Sequence, residues 1–379
     1  MRILHLADLH LGWEPRYLPE DKRQQRRQER DRLLEKTVDF ALKPENETQV
    51  VLIVGDLFEN YNPEEKLVRH VMDQLSRLTR AGLQVVTVPG NHDEITYRES
   101  VYRRYGDNWP GTLVRNPNPD LVATLEVNGS KLHIYSLAFT GGLTSISGLE
   151  EFPRNEEEGI HLAAFHGSLD WTDIADRSLP LDSSLLARAG YNFIALGHYH
   201  RHMEKQAGSA KTLYPGAIEF KTFRDRGTGC LSHVELADNL KGSNVKIETY
   251  PVDVRENFSK KIDLSKYENP EDLHQACSEF ADEEAMVQIT LTGTPRFPVN
   301  HEALEDELAP YFFYLEVKNE ANYFDESFLE SIASEPTVRG AYVRRMREKQ
   351  KEAATEQEKN VLEQALLKGL AALEGSDSR

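Results

Sequence analysis

The amino-acid sequence predicts an α/β protein with two packed sheets and helices on the outside. Short apolar, β-branched segments alternate with amphipathic charged segments early in the chain, and this order is typical of parallel βαβ units. Later apolar segments favour strands of mixed direction and a second sheet. Several apolar segments end in Asp, Asn or His beside a glycine. Functional loops of α/β folds lie at the carboxyl ends of strands, so these residues are the candidate site.

The individual elements follow from the pattern in chain order. Residues 2–7 and 50–56 are predicted to be buried strands, because both are short apolar runs. Residues 21–43 and 64–81 are predicted to be helices, since their apolar positions recur at helical spacing and each ends near a proline or glycine. Further strands are predicted at 83–93, 121–138, 160–167, 191–200, 212–220, 229–236 and 245–252.

The chain divides into three predicted parts. Residues 1–253 form the two-sheet domain, and residues 254–335 form a small α/β cap of alternating strand and helix segments. Residues 336–379 form a helical tail, with one helix predicted over 339–373. One face of this helix carries an apolar stripe, formed by Leu362, Leu366, Leu370 and Leu373. The stripe either packs on the cap or docks on a partner protein.

Composition and charge narrow the function classes. The 379 residues carry a net charge of −18, but residues 1–105 hold 17 Lys and Arg against 18 Asp and Glu, so the other 274 residues carry −17. Overall acidity therefore does not exclude a local phosphate-binding cleft near the motifs. The two cysteines form no CxxC pair, which is typical of a reducing compartment. No apolar run reaches the ~20 residues of a membrane span, so we expect a cytoplasmic protein with no membrane partner.

Five predicted strand ends carry side chains that bind metal ions. Each motif alone is common in ordinary loops, but the joint pattern is not. It supplies imidazole, carboxylate and amide groups and no thiolate, which suits manganese, iron or zinc. Two cations about 3.5–4 Å apart can activate water and clamp a phosphoryl group, so the pattern predicts a two-metal site. The candidates are Asp8, His10, Asp56, Asn91, His92, Asp93, His166, His198 and His200.

Two of these residues occupy positions that favour a particular role. Asp56 stands at the centre of the set and is the best candidate for a carboxylate shared by both cations. His92 lies between Asn91 and Asp93. An imidazole that binds no metal can donate a proton to a leaving oxygen, and we expect His92 to do so.

The motifs ADLH, GDLFE, GNHD, HG and GHYH occur in this order between residues 8 and 200. In this order they resemble the motif set of the calcineurin-like metallophosphoesterase superfamily. DLHLG, GDLF, VPGNHD and the later YPGAIEF are similar to segments of the SbcD-type DNA double-strand-break repair exonucleases, which are nuclease subunits that pair with an SbcC-type ATPase. The resemblance implies an αββα metallophosphoesterase sandwich with a small α/β capping domain and a C-terminal helical tail.

The resemblance also implies a role for each candidate residue. One metal ion would be held by Asp8, His10, Asp56 and His200. The other would be held by Asp56, Asn91, His166 and His198. His92 would be the catalytic residue that contacts the phosphate or the leaving group, with its ring oriented by nearby carboxylates. Glu59 stands where some relatives carry a second histidine, which argues against a second catalytic imidazole.

By the same resemblance, the chain is a DNA repair nuclease that uses two divalent metal ions, with Mn²⁺ favoured, and needs no other cofactor. It implies 3′–5′ exonuclease and single-strand endonuclease activity in repair and recombination, a homodimer, a cap that directs DNA, and a tail that docks on the coiled-coil ATPase. Two alternatives are a small-molecule phosphodiesterase or phosphatase and a catalytically silent scaffold. A small substrate needs neither cap nor tail, and the complete ligand set argues against a silent scaffold.

Two further segments allow both a functional and a structural interpretation. Residues 21–32 contain six Lys or Arg and three Asp or Glu, and they either contact DNA phosphates or form a solvated helix face. Tyr97, Tyr102 and Tyr105 follow GNHD closely. They either build a dimer interface, stack on bases or pack a short helix, and the resemblance favours the dimer.

The remaining histidines are expected to be bystanders. His198 and His200 lie two apart in an extended segment and so face the same side, whereas His202 is assigned to the rim of the cleft. The histidines that lie inside predicted strands are expected to be structural, and these are His5, His133 and His161.

Overall fold

The protein is described by a computed structural model that covers residues 1–127, 129–141, 152–154, 156–170, 178–223, 225, 227–237, 245–295, 297, 299–321, 326–353 and 355–374. The chain forms two compact units, Met1–Arg255 and Glu256–Arg379. The predicted two-sheet domain corresponds to the first unit. The predicted cap and tail fall together in the second unit.

Two six-stranded sheets make up most of the first unit. Its strands are β1 (Arg2–Leu6), β2 (Val50–Val54), β3 (Gln84–Val88), β4 (Thr112–Leu113), β5 (Asp120–Val127), β6 (Ser130–Ser136), β7 (Ile160–His166), β8 (Ser168–Leu169), β9 (Pro180–Leu181), β10 (Phe193–Gly197), β11 (Met203–Ala207), β12 (Ala210–Tyr214), β13 (Cys230–Leu236) and β14 (Val245–Pro251). One sheet has the order β14-β13-β1-β2-β3-β4, and the other has the order β11-β12-β10-β7-β6-β5. The short strands β8 and β9 pair with each other.

The first sheet is parallel across β1, β2, β3 and β4, as the alternating pattern predicts. Antiparallel β13 and β14 extend it beyond β1. The central strand β2 is buried along its whole length. A strand of a parallel sheet is covered on both faces, and this explains why VVLIV is continuously apolar rather than alternating.

The second sheet has mixed direction, and this prediction is confirmed. β6, β7, β10 and β12 are parallel, whereas β5 and β11 run antiparallel to their neighbours. Side chains from both sheets share one core, in which Ile53 of the first sheet and Phe193 of the second are fully buried. Burial of each such side chain contributes about 1.5–3 kcal/mol. The two-sheet α/β fold is therefore as predicted.

Two predicted elements of the first unit need correction. Residues 21–43 form two helices instead of one, and these meet at Arg32, which has φ −79° and ψ −8°. The first half buries Arg26 and Arg30, whereas the second buries leucine and valine, so the two halves pack on different surroundings. The predicted strand 212–220 ends at Tyr214, since Gly216 has φ +78° and turns the chain. The helices here are α1 (Glu20–Asp31), α2 (Leu33–Leu42), α3 (Glu65–Arg80), α4 (Val101–Tyr105) and α5 (Ser183–Ala189).

The second unit has a three-stranded parallel sheet and five helices among its described residues. Its elements are β15 (Asn257–Asp263), α6 (Pro270–Ser278), β16 (Asp282–Thr292), α7 (His301–Leu308), β17 (Phe312–Asn319), α8 (Glu326–Ser334), α9 (Val338–Glu352) and α10 (Glu356–Glu374). β15, β16 and β17 pair in that order, and α6 and α7 contribute to their apolar core. Within the described residues, no helix is long and apolar enough to cross a membrane.

The tail is two helices, and the prediction of one helix over 339–373 is wrong. α9 ends where Ala353 adopts extended backbone angles, and α10 packs back on α9. Leu366 and Leu370 are buried against Val343 and neighbouring apolar side chains of α8 and α9. The leucine stripe therefore covers its own helices in this unit. Residues 375–379 of the predicted tail lie outside the described residues.

Candidate metal centre

The predicted site residues follow the carboxyl ends of five strands. Asp8 and His10 follow β1, Asp56 follows β2, and Asn91 follows β3. The second sheet contributes the last residue of β7 and the residues after β10, namely His166, His198 and His200. Because parallel strands of each sheet end at the same edge, the two sheets together bring these side chains into one cleft.

The backbone is strained at four of these positions. Asp8, His10, Asp56 and His198 have φ values of 55°, 48°, 52° and 100°. Residues with a side chain rarely adopt positive φ, and such conformations cost about 1–3 kcal/mol each. The surrounding fold therefore holds these turns against a local preference, as is common where side chains must be aimed at a site.

Two glycines allow the loops to approach each other. A Cβ atom on Gly55 would lie 2.0 Å from Nδ1 of His166, and one on Gly90 would lie 2.2 Å from Oδ1 of Asp56. Both distances are far below van der Waals contact. The glycines beside the candidate ligands are therefore required for the close packing of the site.

One group of donor atoms comes from Asp8, His10 and His200. Nε2 of His10 lies 3.1 Å from Nε2 of His200, and Nε2 of His200 lies 3.9 Å from Oδ1 of Asp8. Asp56 borders this group, since its Oδ2 lies 3.8 Å from Nε2 of His10. These four side chains can surround one cation.

A second group of donor atoms adjoins the first. Oδ1 of Asn91 lies 2.9 Å from Nε2 of His166 and 3.0 Å from Nδ1 of His198. Nε2 of His166 is also 3.4 Å from Oδ2 of Asp56. Oδ2 of Asp56 thus lies close to histidines of both groups, where a shared carboxylate must lie.

The donor set fits divalent cations. Three imidazoles point Nδ1 outward at an oxygen acceptor, and their Nε2 atoms face the cleft. The contacts are His10 to Glu59 at 3.0 Å, His166 to the Val54 carbonyl at 2.9 Å and His200 to Asp225 at 2.8 Å. An Nδ1 proton on each ring leaves a lone pair on Nε2, and lone pairs that face one another at 3.1 Å repel unless a cation or a proton lies between them.

Burial and the Asp56 carboxylate together set the pKa values of three imidazoles in the cleft. It lowers the pKa of His10 to about 3 and, with a smaller effect from the charge of His166, that of His198 to about 4. Burial also acts to lower the pKa of His166, but the Asp56 carboxylate outweighs it and raises that pKa to about 9. In the protein without metal, the proton of His166 therefore balances part of the buried carboxylate charge. Binding of a cation at this position would release it.

His92 lies beside these groups, with its ring 4.7 Å from that of His10. Its Nδ1 donates to the backbone carbonyl of Glu59 at 2.9 Å, and its side chain is 37% exposed. The Glu59 carboxylate is 3.9 Å away. The Glu59 backbone carbonyl therefore fixes the ring at Nδ1, and the Glu59 carboxylate lies at the limit of ion-pair distance. That carboxylates orient His92 stays a prediction.

Asp93 and Tyr102 hold the turn that carries His92. Asp93 is fully buried and accepts from the backbone of Gly90 at 2.7 Å and of Phe58 at 3.1 Å, and from the Tyr102 hydroxyl at 2.8 Å. Burial, and then the charge of Asp56, raise the pKa of Asp93 to about 6. Tyr102 is buried, so it belongs to neither a dimer surface nor a base-stacking surface.

Two of the six basic residues in segment 21–32 are structural. Arg26 and Arg30 are buried, and both approach Glu219, at 2.9 and 3.7 Å. Arg30 also donates to the carbonyl oxygens of Leu9 and Phe220. These two arginines therefore brace the loops of the site and do not face DNA.

Three residues near the metal groups were not predicted from the sequence. The prediction that His202 lies away from the metal ligands agrees with its position in the structure. Lys221 and Asp225 lie after the last quoted motif, and Glu219 lies within YPGAIEF, but none of the three shows a metal-ligand spacing that would mark it. His202 has Nε2 3.8 Å from Glu204. It is in none of the metal-binding groups of the described residues.

Comparison with known proteins gives a family and several relatives. The family model for calcineurin-like phosphoesterases matches residues 1–202. The DNA double-strand break repair protein Mre11 of Methanopyrus kandleri is 26% identical over 59% of this chain and 50% of its own length. The Aeropyrum pernix protein of the same name is 27% identical over 69% of this chain and 64% of its own length. The uncharacterized metallophosphoesterase YhaO of Bacillus subtilis is 23% identical over 60% of this chain and 55% of its own length.

These matches bear out the superfamily resemblance, and the two archaeal relatives support the likeness to repair nucleases. The chain spans about half to two thirds of the length of these relatives. The family match covers the first 202 of 379 residues, and it includes every predicted metal ligand. The chain therefore belongs to the calcineurin-like phosphoesterase family.

Proposed function

We propose that this chain is a two-metal phosphodiesterase that cleaves DNA during double-strand-break repair. The observation that carries the proposal is the meeting of donor atoms from five strand ends in one cleft beside His92. The family match supports phosphoester hydrolysis. The relatives named as double-strand break repair proteins support DNA as the substrate.

The proposed ligands of the first cation are Asp8, His10, Asp56 and His200. Those of the second are Asp56, Asn91, His166 and His198. When bound, two divalent cations supply an activated water and neutralise charge on the phosphoryl group. Manganese suits the mixture of imidazole, carboxylate and amide donors.

The residues of the chain then divide the remaining work. The Asp56 carboxylate fixes the spacing of the two groups, because its Oδ2 lies 3.8 Å from His10 and 3.4 Å from His166. The Asn91 amide oxygen lies 2.9 and 3.0 Å from ring nitrogens of His166 and His198, so the three side chains offer their donor atoms to one position. His92, held at Nδ1 by the Glu59 carbonyl, presents Nε2 for a proton that can pass to the leaving oxygen.

Metal and substrate measurements test this proposal together. We expect the protein to bind two Mn²⁺ ions and, with them, to cleave long duplex DNA with much greater kcat/KM than a small chromogenic phosphodiester. Asp56→Asn should bind fewer than two ions, because both groups lose a shared carboxylate. Asp39→Asn, on an exposed pair with Arg77, is the control. Faster turnover of the small diester than of DNA would favour the small-molecule alternative, and wild-type protein that binds fewer than two ions would contradict the mechanism.

The finer assignments are also proposals: 3′–5′ exonuclease and single-strand endonuclease activity, a cap within 254–335 that directs DNA, and a homodimer. A partly exposed aromatic pair supports the dimer. Tyr97 is 38% exposed and its ring lies 4.4 Å from that of Tyr61. Large apolar rings at a protein surface are common anchors of protein interfaces.

We further propose that the helices of the second unit dock on the coiled coil of an SbcC-type ATPase. Since Leu366 and Leu370 are buried, the contact must use other side chains, and Val361 of α10 is 63% exposed. Val361→Asp should weaken ATPase binding about 10-fold or more and leave DNA cleavage unchanged, as measured by a pull-down titration and a nuclease assay. Ala341→Asp, at an exposed position of α9, is the control for added charge. Unchanged binding of the Val361 variant would contradict this docking face.

A further inference from the structure

We propose that Glu59, Lys221 and Asp225 form one positioning bridge that holds the two histidines of the first metal group, His10 and His200. The inference rests on the proposed function, because it assumes that this group binds a cation. It assigns a role to Glu59, the residue that replaces the second histidine of some relatives, and to two residues that no motif marks.

On one side of the bridge, Glu59 holds His10. Its Oε2 lies 3.0 Å from Nδ1 of His10, and His10 is 1% exposed. The contact is short but bent, so it is an ion–dipole contact more than a straight hydrogen bond. A carboxylate at this distance favours the tautomer with the proton on Nδ1.

On the other side, Asp225 holds His200. Its Oδ2 accepts from Nδ1 of His200 at 2.8 Å. The two imidazoles thus have matching environments, with a carboxylate on each Nδ1 and the two Nε2 atoms 3.1 Å apart. Carboxylates that bind the outer nitrogen of a ligand histidine fix its orientation and raise its basicity.

Lys221 joins the two carboxylates. Its Nζ lies 2.9 and 2.7 Å from the two oxygens of Glu59. Its backbone N–H donates to Oδ2 of Asp225 at 3.2 Å, and its carbonyl accepts from the Tyr17 hydroxyl at 3.1 Å. A single residue therefore fixes the position of both outer carboxylates at once.

Removal of the Lys221 ammonium should change the affinity for metal ions, and its charge and its positioning role predict changes in opposite directions. The ammonium repels cations, and without it the Glu59 carboxylate would attract them more strongly, so charge alone predicts tighter metal binding. Loss of positioning predicts weaker binding, because Glu59 then turns away from His10. Lys221→Met keeps most of the length of the side chain and removes the charge, so it separates the two effects.

The test is a titration of each variant with Mn²⁺, followed by calorimetry and by electron paramagnetic resonance of the bound ions. Glu59→Gln and Asp225→Asn should each weaken one of the two sites about 10-fold to 100-fold and leave the other within about twofold of wild type. Lys221→Met should weaken the same site, by up to about 10-fold. The unfolding temperature without metal should stay near that of the wild type.

Two variants serve as controls. Lys211→Met removes a lysine from a similar pair with Glu204 at 2.8 Å, and Asp182→Asn changes an exposed aspartate that accepts from a nearby backbone N–H. Both should bind two Mn²⁺ ions like the wild type. If the wild type binds two ions but Lys221→Met binds them equally or more tightly, the positioning bridge is wrong. If the wild type binds fewer than two ions, the proposed function itself fails.

Discussion

Replacing His92 with alanine is expected to slow DNA cleavage by about 100-fold to 10,000-fold while both metal sites stay filled. The reason is geometric. Nδ1 of His92 is held by the Glu59 carbonyl at 2.9 Å, so the ring is fixed beside the two proposed metal groups. His92 also falls with His10 and Glu59 in a third group of possible donors, and metal binding by the variant tests whether it is a ligand. The loss should fall on kcat, because a proton donor acts on the leaving oxygen in the transition state.

The measurement is single-turnover cleavage of labelled duplex DNA, with Mn²⁺ binding followed in parallel. His92→Gln should be nearly as slow as His92→Ala, because an amide cannot donate a proton as an imidazolium does. His202→Ala is the matched control, since that histidine lies at the partly exposed rim with Nε2 3.8 Å from Glu204. Turnover near the wild-type rate in the His92 variants, with two ions bound, would show that the leaving group needs no imidazole here.

The sequence was sufficient for the parts of the molecule that depend on local pattern. Continuous apolar runs such as VVLIV predict buried parallel strands, since both faces of such strands are covered. Proposed ligands at or just after the ends of such strands, such as His166 and Asp56, can be identified from the sequence for the same reason. Parallel strands align their ends, and residues far apart in the chain then meet.

What the sequence could not provide depends on contacts between distant segments. Glu219 and Asp225 lie in a loop after β12, and their partners Arg30 and His200 are identified only by the fold. Arg26 and Arg30 have the charge of DNA-binding residues, and only their burial against Glu219 reveals the structural role. The break at Arg32 was missed because propensity favours a continuous helix, whereas packing of the two halves on different surroundings does not.

The second large effect is a loss of stability, expected when Glu219 is replaced. Glu219 lies between two buried guanidinium groups. The side chains of Arg26, Arg30 and Glu219 are each about 1% exposed. Removal of one partner from a buried ionic network costs about 3–5 kcal/mol. Glu29 still pairs with Arg26 when Glu219 is neutral, so the uncompensated charge is mainly that of Arg30. Glu219→Gln should therefore lower the unfolding temperature of the first unit by about 6–20 °C, as measured by calorimetry and by urea unfolding.

An exposed pair in the same helix provides the control. Arg23 and Glu20 are 3.0 Å apart, and the Glu20 side chain is 69% exposed. Glu20→Ala should change the free energy of unfolding by less than about 1 kcal/mol, because water screens the pair. A similar small change for Glu219→Gln would show that water or other groups reach the buried arginines and compensate their charge.

A triple variant, Arg26→Leu with Arg30→Met and Glu219→Leu, separates the cost of unpaired charge from loss of packing. Apolar replacement of a buried ionic network is often neutral or stabilising, and Glu29, the other partner of Arg26, keeps its pair with Arg255. This variant should therefore be more stable than Glu219→Gln alone. It should nevertheless bind metal less well than the wild type, because Arg30 also donates to the carbonyl of Leu9, between the proposed ligands Asp8 and His10. Recovered stability without recovered metal affinity would show that the buried arginines are retained to position the site.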